Sequence, residues 1–96
     1  MHYAYILRSQ KNDRIYTGYT SDLKKRLKEH KSNRSYYTSR DNTYYLVYYE
    51  ACLNQEDAMA REKYLKSGMG KRYIKNRLKQ YIKGNMIPLE AKRGLV

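Results

Sequence analysis

The sequence lacks phenylalanine and tryptophan, and it contains a single cysteine and a single proline. One cysteine excludes an intramolecular disulfide framework and any four-cysteine metal site, which is typical of a reducing compartment. No apolar run approaches the roughly 20 residues that a membrane-spanning helix needs, and the first residues do not have the pattern of a signal peptide. We therefore expect a cytoplasmic protein that does not span a membrane.

Acidic residues are also scarce, since 9 Asp and Glu stand against 21 Lys and Arg and leave a formal net charge of +12 at pH 7. Such an excess favours a polyanionic partner, most often nucleic acid, because binding releases condensed counterions. The charge alone does not separate an enzyme from a passive binding protein. A chain of 96 residues supports one small core, and tyrosine, present 13 times, is the only aromatic residue that can line it.

Alternating β-prone and helical patterns predict the fold class. The predicted elements, in chain order, are a strand at residues 3–7, a strand from Ile15, a helix after Ser21 and Asp22, a strand at residues 43–50, a helix after Asn54, and a helix from about Lys71 to Lys83. Gly68 and Gly70 are expected to end the second helix. This order predicts an α+β fold, a small three-stranded antiparallel sheet flanked by three helices (β-β-α-β-α-α). Residues 1–84 form the domain and residues 85–96 a C-terminal tail.

One carboxylate is out of place in the second predicted helix. Ala58, Glu62 and Leu65 share a stripe, which puts Glu62 on the face that the two apolar residues mark as inward. A buried carboxylate is destabilising unless it is paired or binds a metal ion. Two interpretations stay open at this point, a salt bridge to Lys66 or Arg61 and a metal ligand.

The first predicted helix carries a polar stripe. Asp22, Arg26 and His30 follow one another at i, i+4 steps and project from one side of it. On residue types alone, an ordinary exposed stripe accounts for all three. The tripeptide YTG at residues 16–18, which ends the preceding strand, favours a functional site instead, because glycine lets the backbone turn sharply or approach a ligand.

Residues 63–89 carry eight Lys and Arg and no acid. A run of this length without a compensating acid favours phosphate contact over an ordinary solvated helix face. The residues assigned to nucleic-acid binding are Lys66, Lys71, Arg72, Lys75 and Lys79. Among the tyrosines, the pair Tyr36-Tyr37 is the best candidate for stacking on a base, whereas the strand tyrosines are more typical of packing.

Together these residues resemble the GIY-YIG endonuclease superfamily over nearly the whole chain. The run YAYIL at residues 3–7 stands where the first half-motif belongs, with Tyr5 matching its tyrosine, and YTG at 16–18 matches the second half-motif. The phrase YTGYTSDLKKRLKEH is similar to the signature region of small stand-alone bacterial members and of the nuclease domain in the excision-repair incision subunit. Single residues match further family positions: Arg26 the helix arginine, His30 a histidine of several members, Glu62 the metal-binding glutamate, and Asn76 a late asparagine of some members.

Three positions depart from the family motif. Tyr3 and Ala4 replace the first two residues of the first half-motif, and Thr17 replaces the usual aliphatic residue of the second. The first two changes leave Tyr5 in place and are similar to what small stand-alone members tolerate. The fold is therefore expected to be retained.

The resemblance implies a catalytic mechanism, hydrolysis of a phosphodiester with one divalent cation, Mg²⁺ or Mn²⁺, held by Glu62. Arg26 would stabilise the negative charge that develops on the phosphate. A tyrosine, Tyr16 in preference to Tyr5, would act as general base, which requires a pKa below the ordinary value of about 10. A neighbouring arginine or metal ion acts in that direction. His30 is assigned as a second proton shuttle or a phosphate contact.

The leading hypothesis is thus a metal-dependent DNA endonuclease of repair or recombination. It would recognise DNA by shape or backbone, because the chain leaves no room for a sequence-reading module beside the nuclease core. The alternative from another class is a nucleic-acid-binding module that keeps the nuclease fold without turnover. A basic ribosome-associated protein explains the charge but not Glu62. The sequence leaves open an RNA substrate, a targeting protein partner and the oligomeric state.

Overall fold

A computed structural model describes residues 1–9, 14–31 and 44–85. The elements in chain order are strand β1 (His2–Ser9), strand β2 (Ile15–Thr20), helix α1 (Leu23–Lys31), strand β3 (Tyr44–Cys52), helix α2 (Gln55–Lys66), helix α3 (Gly68–Arg77) and helix α4 (Lys79–Asn85). The three strands form one antiparallel sheet, so the predicted α+β fold is confirmed. Within the described ranges, no helix is long and apolar enough to cross a membrane.

Strand β1 is the centre of the sheet, whose order is β2-β1-β3. The register pairs Tyr5 of β1 with Gly18 of β2 and with Tyr49 of β3. Every residue from Ala4 to Ser9 is buried, which matches the nearly unbroken apolar run of this strand, because a central strand covered on both faces has no solvent side. β2 is left as an edge strand.

Helices cover both faces of the sheet. Successive side chains of β1 point to opposite faces, so Ile6 and Tyr5 enter different layers. On one face, the buried core combines β1 with α2 and α3 and consists of Ala4, Ile6, Leu65 and Ile74. On the other face, Tyr5 meets His30 of α1. Adjacent residues of β1 therefore belong to different clusters: Ile6 to the apolar core, and Tyr5 to the polar cluster described below.

The two N-caps expected from the sequence are confirmed. The side-chain oxygen of Asn54 accepts hydrogen bonds from the backbone N–H groups of Glu56 and Asp57 at 2.8 and 3.3 Å. The carboxylate of Asp22 accepts one from the backbone N–H of Lys25 at 3.1 Å. Each cap satisfies N–H groups that the first turn of a helix leaves without a helical partner.

The boundary between α2 and α3 differs from the sequence expectation. Gly68 and Gly70 do not end α2 but lie inside α3, and Ser67 separates the two helices. The backbone N–H of Ser67 donates to the carbonyl of Tyr64, and its hydroxyl accepts from the N–H of Gly70. A Cβ at Gly70 would overlap the backbone of Tyr64. The physical role of Gly70 is therefore close helix packing rather than termination.

The helix expected from about Lys71 to Lys83 consists of two helices. α3 begins earlier, at Gly68, and ends at Leu78, whose φ of −102° and ψ of 26° leave the helical region. Leu78 packs against the apolar core. Its N–H and carbonyl still bond to Ile74 and Ile82 at 2.8 Å each, so the break between the two helices leaves neither backbone group unsatisfied.

A bidentate ion pair joins β3 to α2. Arg61 donates from Nε and Nη2 to the two carboxylate oxygens of Glu50 at 2.9 and 2.7 Å. The hydroxyl of Tyr48 donates to the same carboxylate at 2.9 Å and lies 3.5 Å from the hydroxyl of Tyr73 on α3. The guanidinium also lies over the rings of Tyr64 and Tyr73, 4.9 and 5.2 Å from their centroids. These five residues, the Glu50–Arg61 cluster, connect β3, α2 and α3.

The substitution Glu50→Gln tests this cluster. At neutral pH it is expected to lower the free energy of unfolding by about 2 kcal/mol, because charge-assisted hydrogen bonds to Arg61 are lost. Hydrogen bonds from Arg61 hold the pKa of Glu50 below its ordinary value of 4.5. A carboxyl whose pKa is lower in the folded chain stabilises it above the unfolded pKa, and this contribution disappears as pH falls through the folded pKa.

Urea unfolding of both proteins between neutral and strongly acidic pH measures the effect. The difference between wild type and Glu50→Gln should shrink on acidification, and a difference independent of pH would contradict the assignment. Glu56→Gln is the matched control, since Glu56 is an exposed acid in the first turn of α2. It should cost less than about 1 kcal/mol, the range of a charge near a helix terminus.

Candidate active site

The candidate site lies at edge strand β2, which packs against α2 and also contacts α1 through the Tyr16 and His30 rings. An open pocket of about 430 Å³ is lined there by Ile15, Tyr16 and Thr17 of β2, Lys66 of α2 and Lys71 of α3. Two of the five lining side chains are cationic and one is a tyrosine. This composition suits an anionic group that approaches the sheet edge from solvent.

Behind the pocket, Tyr5, Tyr16 and His30 form a packed aromatic cluster. The Tyr5 hydroxyl lies 3.1 Å from Nε2 of His30, within hydrogen-bond distance. The Tyr16 ring is 6.2 Å from the Tyr5 ring and 5.3 Å from the His30 ring, in tilted and edge-on arrangements that aromatic pairs favour. Tyr5 is 0% exposed and His30 5%, whereas Tyr16 is half-buried and reaches the pocket.

Gly18 makes room for this cluster. It pairs with Tyr5 across the β1–β2 ladder, and a Cβ at residue 18 would lie 2.5 Å from the Tyr5 hydroxyl oxygen and 3.0 Å from Cε1 of Tyr16. Because Tyr5 is fully buried, it cannot swing away into solvent. The glycine of the YTG tripeptide thus allows the Tyr5 ring to cross directly over strand β2, an approach that any side chain would block.

Burial controls the ionisation of the buried pair. It raises the pKa of the Tyr5 hydroxyl well above its ordinary value of 10.0, and Arg26, which acts in the opposite direction, does not offset it. Burial is also the main reason that the pKa of His30 lies below 6.5. The positive charge of Arg26 lowers it further, while Glu29 opposes this. Near neutral pH, both the phenol and the imidazole are therefore uncharged.

Arg26 lies at the solvent side of the cluster. Its side chain is 40% exposed, and Nε is 3.1 Å from a carboxylate oxygen of Glu29. It also lines a polar hollow beside the first turn of α1, together with Asp22 and Glu29. Of the predicted stripe of Asp22, Arg26 and His30, the first two face solvent to different degrees, whereas His30 turns inward to Tyr5.

Glu62 lies on α2 between two buried residues of its stripe, Ala58 and Leu65. Its side chain is 24% exposed, and Oε2 is 3.2 Å from Nζ of Lys66. Of the two cationic partners considered from the sequence, Lys66 is therefore the one observed, while Arg61 binds Glu50. Because Lys66 also lines the pocket, one lysine connects the Glu62 carboxylate to the β2 edge.

The donor set at Glu62 suits a hard cation held by a single carboxylate. No group of three or more His, Cys, Asp and Glu side chains occurs in the described part of the chain, so a closed cage of zinc type is not built there. Mg²⁺ commonly keeps several waters and is bound through one or two carboxylates together with substrate phosphates. Glu62 is partly exposed and already has a cationic ammonium group on its oxygen, so its position is compatible with such an ion.

The remaining candidate residues lie on the exposed surface of α3 and α4. Asn76 is exposed and lies about 140° around the helix axis from Lys71, so the structure does not bring it into the pocket. Arg72 and Lys79 are exposed as well. Lys75 lines a neighbouring apolar cavity together with Lys71. Tyr36 and Tyr37 lie outside the described residues.

Sequence reasoning missed the Glu50–Arg61 cluster. Glu50 and Arg61 are 11 residues apart on a strand and a helix, a separation that no single-element periodicity connects. The one available signal was a single acidic residue, Glu50, within an otherwise uncharged strand, residues 44–52. An isolated charge of this kind on a half-buried strand indicates a cationic partner.

Comparison with known proteins identifies a matching family and several similar proteins. The sequence profile of the GIY-YIG catalytic domain family matches residues 1–73. A UPF0213 protein of Clostridium perfringens is 40% identical over 69% of this chain and 71% of its own length. A UPF0213 protein of Oceanobacillus iheyensis is 36% identical over 64% of this chain and 71% of its own. A third, from Haloquadratum walsbyi, is 34% identical over 69% and 74%. No solved structure gives a significant match.

The Gly18→Ala substitution tests the geometry of the cluster. We expect it to lower the free energy of unfolding by about 1–3 kcal/mol, the usual cost of overpacking, because Tyr5 must shift away from His30. Gly68→Ala is the matched control, since a Cβ there meets nothing within 4 Å, and it should be neutral or stabilise by about 0.5 kcal/mol. Chemical denaturation measures both. Equal stability of the two variants would contradict the packing described here.

Proposed function

Because this chain belongs to the GIY-YIG family of nucleases, we propose that it is a divalent-metal-dependent endonuclease that hydrolyses DNA phosphodiester bonds at the edge of β2. The observation that carries the proposal is the convergence of Tyr16, Lys66 and Lys71 on one open pocket. Three family-matching residues contact side chains that line this pocket: Tyr5 and His30 pack against Tyr16, and Glu62 pairs with Lys66. Arg26 lies beside Tyr5 and His30 and lines a separate hollow with Asp22 and Glu29.

Glu62 is the residue that would hold the cation. When bound, Mg²⁺ or Mn²⁺ supplies positive charge that stabilises negative charge developing on the phosphate oxygens. On the opposite side of β2, the guanidinium of Arg26 supplies a second, permanent positive charge. Arg26 already has a carboxylate partner in Glu29, which keeps its side chain oriented. Fixed charges of this kind stabilise a transition state without reorganising during the reaction.

Tyr16 is the better general base of the two tyrosines. Tyr5 is fully buried and its pKa is raised, so it neither meets water nor ionises readily. Tyr16 is half-buried and lines the pocket, so its hydroxyl oxygen can receive a proton from an attacking water molecule. The cationic side chains of Lys66 and Lys71 line the same pocket as Tyr16.

His30 and Tyr5 then act mainly as positioning residues. The neutral imidazole hydrogen bonds to the Tyr5 hydroxyl, and both rings pack against Tyr16. Since neither is exposed, direct phosphate contact by His30, one of its two expected roles, is less favourable than fixing the orientation of Tyr16. A well-fixed base is effective because misplacement by about 1 Å can cost roughly 100-fold in rate.

Exposed lysines and arginines of α2, α3 and α4 supply the DNA-binding surface beside the pocket. They are Lys66, Lys71, Arg72, Lys75 and Lys79. Such side chains contact phosphates and carry no base readout of their own. Recognition would therefore depend on DNA backbone or shape, as in structure-directed cleavage during repair or recombination in the cytoplasm.

Cleavage assays with Mg²⁺ or Mn²⁺ on linear, nicked, flap and four-way DNA test the assignment. Glu62→Gln and Arg26→Ala should each lower the cleavage rate by about 100-fold or more, the scale of losing one fixed charge that stabilises a transition state. Lys24→Ala, at an exposed position of α1, should retain nearly full activity. Cleavage that survives both active-site changes would refute the proposal. Salt-sensitive binding without cleavage under either metal would favour the non-catalytic module.

Phenylalanine substitutions separate the roles of the tyrosines. Tyr16→Phe should lower the cleavage rate by about 100-fold or more, as for loss of a general base, and leave DNA affinity unchanged. Tyr5→Phe should have a smaller effect on rate but lower stability, because it removes the buried hydrogen bond to His30. Tyr19→Phe on the same strand is the control, since that hydroxyl bonds to His2 instead. Wild-type turnover by Tyr16→Phe would exclude it as the base.

A further inference from the structure

Lys66 contacts two parts of the proposed site, the Glu62 carboxylate and the pocket at the β2 edge. Its ammonium group is 3.2 Å from Oε2 of Glu62, the carboxylate assigned to the metal ion. The same side chain lines the pocket formed with Tyr16 and Lys71 at the β2 edge, where an anionic group would bind. A single flexible cation therefore lies between the metal ligand and the phosphate position.

The ion pair between Lys66 and Glu62 is weak enough for another cation to replace Lys66. Lys66 is 55% exposed, and exposed lysine pairs of this i, i+4 kind contribute little stability. An ammonium group is a compact point charge on a four-carbon stem and needs no fixed geometry. The neighbouring pair of Arg61 and Glu50 is different, since it is bidentate, its cation is less exposed, and the Arg61 guanidinium lies over two tyrosine rings.

Two consecutive charged residues of α2, Arg61 and Glu62, therefore have different roles. Arg61 fixes α2 against β3 with a planar, two-point contact. Glu62, the next residue, makes one ion pair within the described part of the chain, with the exposed ammonium group of Lys66. A doubly charged ion competes well for such a carboxylate, because its attraction at equal distance is twice that of the ammonium.

We propose that Lys66 is a placeholder cation that a divalent ion displaces from Glu62, and that the displaced ammonium group then contacts the substrate phosphate in the β2-edge pocket. This inference rests on the proposed function, in particular on Glu62 as the metal ligand. Lys66 keeps the carboxylate neutralised without metal and becomes a phosphate contact once metal is bound.

The exchange of Lys66 between Glu62 and phosphate would couple metal binding to DNA binding. If metal frees Lys66 for phosphate, then metal strengthens DNA binding, and by thermodynamic linkage DNA strengthens metal binding by the same factor. A Lys66 that served only as a helix-stabilising partner would add nothing to the coupling that arises when the metal ion itself contacts the phosphate. Its removal would then change helix stability slightly and change metal affinity no more than removal of another nearby lysine.

Direct Mn²⁺ binding, followed by electron paramagnetic resonance of the free ion in the absence of DNA, tests the proposal on the full chain. Lys66→Met should bind Mn²⁺ about three- to fivefold more tightly than wild type, the range expected for removing a weak competing ion pair. Lys63→Met, at an exposed position next to Glu62, controls for the lost net charge and should show a clearly smaller gain. Equal gains in both variants would overturn the exchange.

Lys66→Arg keeps the charge and adds a two-point partner for the carboxylate, so it should bind Mn²⁺ no more tightly than wild type. An affinity as high as that of Lys66→Met would contradict direct competition at Glu62. In side-chain ¹H–¹⁵N spectra, Mg²⁺ should shift the Lys66 ammonium signal and leave that of Lys63 in place. An unshifted Lys66 signal at saturating Mg²⁺ would also overturn the proposal.

Glu62→Gln separates this inference from the assignment on which it rests. If Mn²⁺ binding persists unchanged in Glu62→Gln, Glu62 is not the ligand, and the metal assignment fails together with the exchange. If binding is lost in Glu62→Gln but is the same in wild type and Lys66→Met, the metal assignment stands and the exchange alone is wrong.

Discussion

The burial of β1 on both faces is the constraint on which the rest of the structure depends. Side chains alternate across a strand, so Tyr5 and Ile6, adjacent in sequence, enter opposite layers. One layer is an apolar core with α2 and α3, and the other is a polar aromatic cluster with α1. Because both layers are closed, a register slip by one residue would exchange the buried phenol with an aliphatic side chain. Gly18 pins the register, since only glycine accommodates the Tyr5 ring above β2.

The site is therefore assembled from both sides of a sheet rather than in one cleft. Tyr16 and Arg26 belong to the face covered by α1, whereas Lys66 and Glu62 come from α2 on the other face. Tyr16 and Lys66 line one pocket because β2 is an edge strand of the sheet. The Glu50–Arg61 cluster joins α2 to β3, the opposite edge strand. This contact helps to hold α2, and with it Glu62 and Lys66, in place against the sheet.

The sequence predicted what periodicity and local chemistry determine. The three strands, the capped helices after Asp22 and Asn54, and the ambiguous environment of Glu62 all follow from spacing. The prediction from sequence was wrong where the role of a residue depends on a contact with another structural element. Gly70 reads as a helix stop but instead permits contact with the backbone of Tyr64, and His30 reads as part of an exposed stripe but hydrogen bonds to Tyr5, 25 residues away. Such contacts depend on how elements pack, which local patterns do not encode.

The same geometry explains why three departures from the family motif are compatible with the proposed site. Ala4 faces the apolar core with Leu65, and Tyr3 packs edge-on against Tyr49 of β3 at 6.0 Å. Ala4 lies on the face opposite to Tyr5, whereas Tyr3 shares the Tyr5 face by alternation and its observed ring contact is with Tyr49, not with His30. Thr17 pairs with Ile6 and is buried on the α2 side of the sheet, so a hydroxyl replaces a methylene there without altering the Tyr5 face. The residues that build the cluster from the two strands are Tyr5 and Tyr16, through their rings, and Gly18, through its lack of a side chain, and all three match the motif.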